Sequence, residues 1–254
     1  MSDSWSAMAP RRREQIESGQ DLTFTKVFLP FYRESIRRIA CTSLIEVGCG
    51  TGHLVKEFTQ IAQQTYALEP SPGMHAVAAN ILRDSRVVLI NRAVEQYETG
   101  LRFDCVISHL CAQAVSDLDR FLRSCAGLLE KHGRFIFSIP HPCFWNDYQP
   151  YFEEDEFDYT AEQFTNATLT ISLDRESKMP GIPFYHRPLS RYIDAIVAAG
   201  LEIHRLTEIF PSQEVQKLYP IRWARPRYCV FEIGRESAIA SIRRSASSAD
   251  SLVT

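Results

Sequence analysis

The chain has 254 residues, 45% hydrophobic and 23% charged, with 28 Lys+Arg against 31 Asp+Glu. This is enough apolar material for one large α/β domain or two smaller ones, and a net charge of −3 lacks the basic footprint of a protein that coats nucleic acid. Seven scattered cysteines without a Cys-x-x-Cys pair argue against a disulfide framework or a zinc site and read as reduced thiols of a cytoplasmic protein. No apolar run approaches the ~18 residues of a membrane span, and the N-terminus lacks the apolar core of a secretory signal.

Residues 1–40 read as a helical cap. Ile16, Phe24, Val27, Phe28, Phe31, Tyr32, Ile36 and Ile39 recur at three- and four-residue spacing, although Pro30 argues against one unbroken helix. Strands then alternate with helices. Strands are expected at 43–48 (SLIEVG), 65–69, 86–91, 103–108 and 133–139, and helices at 51–64, 73–83 and 118–129. The alternation breaks at Pro140. Residues 141–187 carry nine acids against three Lys/Arg, with clustered aromatics, and read as an insertion or lid after the fifth strand. A helix at 189–199, stopped by Gly200, and strands at 201–210 and 228–233 complete the pattern. The expected fold is α/β: a Rossmann-like, mainly parallel seven-stranded sheet with helices on both faces. The domain is expected over 41–236, followed by a flexible tail at 237–254.

The sharpest feature is Glu46-Val47-Gly48-Cys49-Gly50-Thr51-Gly52 between the first strand and its helix. Glycines there permit a tight turn and the close approach of a ligand. Glu69 ends the next strand, where an acid can accept both hydroxyls of a ribose. A dinucleotide site would place a small residue just beyond Gly52, and His53 stands there. Glu46 is unsuited to a pyrophosphate and suits a ligand with an ammonium or sulfonium charge. It also reads as a buried, hydrogen-bonded acid.

With these residues the chain resembles the class I S-adenosylmethionine-dependent methyltransferases, over about residues 40–233. EVGCGTG matches their first motif. The resemblance implies a cofactor site of Glu46, Gly48, Gly50, Gly52, Glu69, Pro70, Ala93, Val94, Ser108 and His109, with Glu69 on the ribose, Ala93 and Val94 beside adenine, and Ser108 and His109 near the methionine portion. Lys131-His132-Gly133 replaces the family's Pro-Gly-Gly turn before the fifth strand. His141-Pro142, the run Tyr185-His186-Arg187-Pro188-Leu189-Ser190 and Arg225-Pro226-Arg227 resemble a branch acting on metabolites and natural products. It implies in-line methyl transfer to a small-molecule acceptor, with no metal.

His141 and His186 flank the insertion and are the candidate bases or substrate anchors. His141 also reads as a loop histidine beside Pro142, and His186 as a helix cap. The insertion's aromatics can line the substrate or form their own core, and the N-terminal helix can cover the cofactor or pack on a second copy. Oxygen, nitrogen and carbon acceptors all use one scaffold. The competing functions are RNA or protein methylation, a nicotinamide-dependent oxidoreductase, and a non-catalytic binder of the cofactor.

Overall fold

The structure, a computed structural model, describes residues 3–171 and 173–235; the expected tail at 237–254 lies outside the described residues. Helix α1 (Asp3–Glu17) is followed by a π-helical turn (Thr23–Phe28) that runs directly into α2 (Leu29–Ile39). The chain thus stays helical through Pro30. The wide turn makes this possible, because Leu29 N–H bonds to Phe24 O, five residues back, and the proline falls in the first turn of α2, where its missing N–H costs least.

Next come β1 (Ser43–Val47), α3 (His53–Glu57), β2 (Gln64–Leu68), α4 (Pro72–Ile81), β3 (Val88–Ile90), β4 (Phe103–His109), α5 (Leu118–Gly127) and β5 (Leu129–Pro140). Helix α3 is shorter than its sequence pattern suggests. A 3-10 turn over Phe58–Gln60 ends it, because Gln63 and Gln64 both donate to Thr42 O and draw the chain into β2. Strand β5 starts four residues earlier than expected and runs through Lys131-His132-Gly133.

The insertion holds a short helix α6 (Trp145–Tyr148) and a hairpin of β6 (Gln163–Ile171) and β7 (Asp174–His186). Then follow α7 (Leu189–Ala198), β8 (Leu201–Ile209), α8 (Gln213–Gln216) and β9 (Tyr228–Arg235).

The main sheet has seven strands in the order β3-β2-β1-β4-β5-β9-β8. The first five are parallel, and β9 is antiparallel to both neighbours. Side-chain alternation divides the core into two layers. Ile45, Val47, Phe135, Phe137 and Ile139 pack toward α5 and α7. Leu44, Ile107 and Ile136 pack toward α2 and α3. Strand order reverses between β1 and β4, which opens a crevice at the carboxyl ends of the strands.

Helix α1 packs within its own chain, against α4 and β7. Ser6 Oγ lies 2.9 Å from Ser71 Oγ and accepts Gly73 N–H at 3.0 Å. Arg11 and Gln15 both donate to Asp174, at 2.6 and 2.8 Å, near the start of β7. No helix among the described residues is long and apolar enough to cross a membrane.

Candidate active site

Beyond β1 the chain turns through Gly48, Gly50 and Gly52, with φ of +71°, +55° and +81°. L side chains disfavour this region. A Cβ on Gly48 would lie 2.6 Å from Cys111 Sγ, and one on Gly52 would press on Ala78 and Leu82 at 3.1–3.2 Å. A Cβ on Gly50 would meet no protein atom within 4 Å. Gly48 and Gly52 therefore serve packing, whereas the space over Gly50 is open.

Glu69 follows β2 and is buried. Its Oε2 accepts Gly50 N–H at 2.7 Å and its Oε1 accepts Ser71 N–H at 2.8 Å. The carboxylate thus fastens the glycine loop to the start of α4, and each oxygen keeps a lone pair. Burial raises its pKa, and the two N–H bonds oppose that rise. Glu46 lies next to Ala67 and Ile107 in the sheet. Burial and the nearby Glu69 charge push it well above the carboxylate range, and its Oε2 has no hydrogen-bond partner. A cationic ligand group would supply what this buried acid lacks. An open space over Gly50, a ribose-type acceptor at Glu69 and an unsatisfied acid at Glu46 fit S-adenosylmethionine.

One cavity of about 250 Å³ joins these residues to an apolar wall. Glu46, Gly48, Gly50, Glu69, Pro70, Ala93, Val94 and His109 all line it. Gly52 is turned toward α4 instead. Ser108 is fully buried and donates to Val47 O at 3.0 Å, bracing β4 against β1.

His141 and His186 are not on this wall. His141 is buried where β5 leaves the sheet; its Nδ1 accepts Cys143 N–H at 3.2 Å, so the proton on Nε2 is directed to Glu208 at 2.9 Å. His186 ends β7 and directs Nε2 to Tyr159 O at 3.0 Å. Burial lowers its pKa. Their ring nitrogens hold the two roots of the insertion in place. Among the described residues, no group of three His, Cys, Asp or Glu side chains is set to hold a metal ion.

The apolar wall comes from segments to which the sequence alone assigned no definite role. Trp5 and Ile16 of α1, Trp145 of α6, and Leu169, Ile182 and Phe184 of the hairpin line it. The insertion's aromatics line the cavity and also form their own core, because Trp145 and Phe184 pack with Ala167. Arg187 went unassigned as well. Its buried guanidinium donates to the carbonyls of Ala112, Val115 and Ser116 at 3.3, 2.7 and 3.1 Å and pairs with Glu162 at 2.9 Å. It thereby fixes the loop that carries Gln113, Ala114 and Val115 to the cavity.

Residues 45–137 match a family described as a methyltransferase domain. A ubiquinone biosynthesis O-methyltransferase of Rhodopseudomonas palustris (strain BisA53) is 28% identical over 109 residues, which cover 41% of this chain and 42% of that protein. The chain thus spans less than half the length of the curated relatives it matches. A S-adenosylmethionine-dependent methyltransferase from Clostridium acetobutylicum superposes with a TM-score of 0.65 at 13% identity, covering 89% of this chain and 99% of that one. The glycopeptide N-methyltransferase MtfA, complexed with (S)-adenosyl-L-methionine, superposes with a TM-score of 0.59 at 16% identity, covering 82% and 87%. At these identities the structural likeness is one of fold. Residues 45–137 thus match a methyltransferase domain, and the fold is that of the S-adenosylmethionine-dependent methyltransferases it superposes on.

Proposed function

We propose that the protein transfers a methyl group from S-adenosylmethionine to a small molecule held against the apolar wall. One observation carries this reading: a single cavity runs from the glycine loop and Glu69 to Trp5, Trp145 and Phe184. S-adenosylmethionine supplies a methyl group already activated on a sulfonium. The chain's own task is then alignment, and placing two reacting atoms at ~3–3.5 Å can supply ~7–11 kcal/mol. Gly50 lets the ligand approach the backbone, Glu69 accepts the ribose hydroxyls, Ala93 and Val94 flank the base, and Glu46 faces the cationic portion. Helix α1 and the β6–β7 hairpin exclude water.

The apolar wall suits an aromatic or largely apolar acceptor of the natural-product kind rather than an RNA or protein surface. Seven free cysteines fit a reducing, cytoplasmic setting. Calorimetry with S-adenosylhomocysteine tests the proposal: micromolar binding is expected, and folded protein that binds none of it would refute the reading. A fluorescence titration with reduced nicotinamide cofactors is expected to show no binding.

A further inference from the structure

Methyl transfer to a hydroxyl needs a base to take the proton, and His109 is the imidazole on the cavity wall near the ends of β4 and β5. Its hydrogen bonds determine whether it can act as that base. His109 is the cross-strand partner of Ser138. Ser138 Oγ accepts Tyr32 O–H at 3.0 Å and shares the Leu110 N–H, at 3.1 Å, with the Ser138 carbonyl oxygen, also at 3.1 Å. A hydroxyl has two acceptor sites and one hydrogen. Both acceptor sites are filled, so the hydrogen points to His109 Nδ1, 2.8 Å away. Nδ1 is therefore the acceptor, and the ring proton sits on Nε2.

The opposite tautomer would turn the Ser138 hydrogen toward Tyr32 and leave that fully buried phenol without an acceptor, which folded proteins avoid. Phe24, Phe28 and Tyr32 of the π-helical turn and α2 enclose the imidazole, with ring centroids at 5.8, 4.4 and 5.6 Å. The charged groups acting on it are Asp21 and Arg12, which pair with each other at 2.7 Å. Burial dominates and holds the ring neutral.

From this geometry we infer that His109 meets the acceptor as an N–H donor and not as a base, and that the acceptor is a small molecule presenting an uncharged amine. The inference rests on the proposed methyl transfer. The other titratable groups of the wall do not supply a base either. The Tyr151 and Tyr228 phenols and the Cys49 and Cys111 thiols are pushed up by burial. Glu69 accepts one backbone N–H on each oxygen, and in the proposed reading its remaining lone pairs take the ribose hydroxyls. Glu46 and His53 belong to the glycine-loop side, where His53 Nδ1 lies 2.9 Å from Thr51 Oγ1. Glu95 follows Val94 on the adenine side.

An amine needs no base in the bond-forming step. Its lone pair forms the bond to the methyl carbon, the carbon–sulfur bond breaks, and that electron pair stays on sulfur. Positive charge passes from sulfur to nitrogen, so the cavity's net charge is unchanged, and the surplus N–H proton leaves to water after release. The apolar wall also favours the uncharged amine over its ammonium form. The His109 N–H bonds to an oxygen of the acceptor and leaves the amine lone pair free.

The test combines three measurements. Nitrogen-15 spectra of histidine-labelled protein, with the His109 signals assigned through His109→Gln, are expected to show the Nε2–H tautomer with no titration over about pH 5–8, where ordinary imidazoles respond. An Nδ1–H ring, or protonation in that window, overturns the inference. Calorimetry with S-adenosylhomocysteine on the same sample separates the two readings: failure to bind removes the proposed function and leaves the tautomer result standing. With radiolabelled S-adenosylmethionine and the pairs 3-methoxybenzylamine/3-methoxybenzyl alcohol and 3-methoxyaniline/3-methoxyphenol, each of which offers an oxygen to the His109 N–H, label is expected on the amine at least ten-fold faster. Preference for the hydroxyl member overturns the inference. His109→Gln keeps an N–H without a basic nitrogen, so the shape of the kcat pH profile is expected to stay unaltered even where kcat falls, and a profile that loses its acid limb overturns the inference.

Discussion

Replacing Gly50 by alanine separates ligand binding from stability. At φ +55° an alanine costs about 1–2 kcal/mol, and no protein atom lies within 4 Å of the new methyl. For a chain of this size that corresponds to a Tm lower by about 2–8 °C. The ligand pays separately. A group in van der Waals contact with the Gly50 backbone, at ~3.5–4.0 Å, would have to retreat by roughly one carbon–carbon bond, ~1.5 Å. Losing that approach is expected to weaken S-adenosylhomocysteine binding at least ten-fold, or about 1.4 kcal/mol.

Gly48→Ala should behave differently. Its Cβ would stand 2.6 Å from Cys111 Sγ, which adds about 1–3 kcal/mol of overpacking to the same conformational cost. Thermal melts and calorimetry on both variants read the two effects. Wild-type affinity in folded Gly50→Ala protein would show that the open space over this glycine is not where the ligand lies.

Glu69→Gln puts an NH₂ group beside one of the two backbone N–H donors, so that donor loses its partner at a cost of about 1–3 kcal/mol; calorimetry should show at least ten-fold weaker S-adenosylhomocysteine binding. Arg187→Met strips donors from three carbonyls and should cost at least ~2 kcal/mol, seen as a fall in Tm of about 4–8 °C, with no rescue by Arg187→Lys because an ammonium cannot span the same fork. Burial holds His109 at about 3, below its unfolded value of about 6.5. The unfolded chain therefore binds the extra proton first. Its stabilising contribution is complete above about pH 6.5 and declines by up to ~1.4 kcal/mol per unit as pH falls toward 3. Urea melts across that range should show a shallower slope in His109→Gln, and an identical slope would contradict the neutral, buried assignment.

The glycine-loop side of the cavity was legible because one short stretch carries it. Glycines at 48, 50 and 52 and an acid at 69 encode turn, approach and acceptor in residue types that few other contexts require. Strand parity was equally readable, since the alternation of Phe135, Phe137 and Ile139 with Ile136 and Ser138 assigns each to a core face. The acceptor side was not, because its wall is assembled from distant segments whose aromatics look like ordinary core. The β6–β7 hairpin had a detectable signal in the alternating QFTNATLTI, overshadowed by the acidic run before it. His141 and His186 were attractive for their position beside the insertion, yet proximity in sequence to a lid says nothing of which way a ring faces. His109 drew less notice, and its hydrogen bonding emerged only from a register that pairs it with Ser138 and a π-helical turn that sets Tyr32 over both.

The division of labour along the chain has a practical consequence for engineering. The cavity residues proposed to meet the nucleoside fall between 46 and 94, whereas Trp5, Trp145, Leu169, Ile182 and Phe184 come from α1, α6 and the hairpin. Arg11 and Gln15 tie α1 to Asp174, and Ser6 ties it to Ser71 and Gly73 at the start of α4. Exchanging helix and hairpin together between homologous scaffolds, with Ser6 kept for its ties to α4, should redirect which compound is accepted; swapping either alone would sever the ties at Asp174.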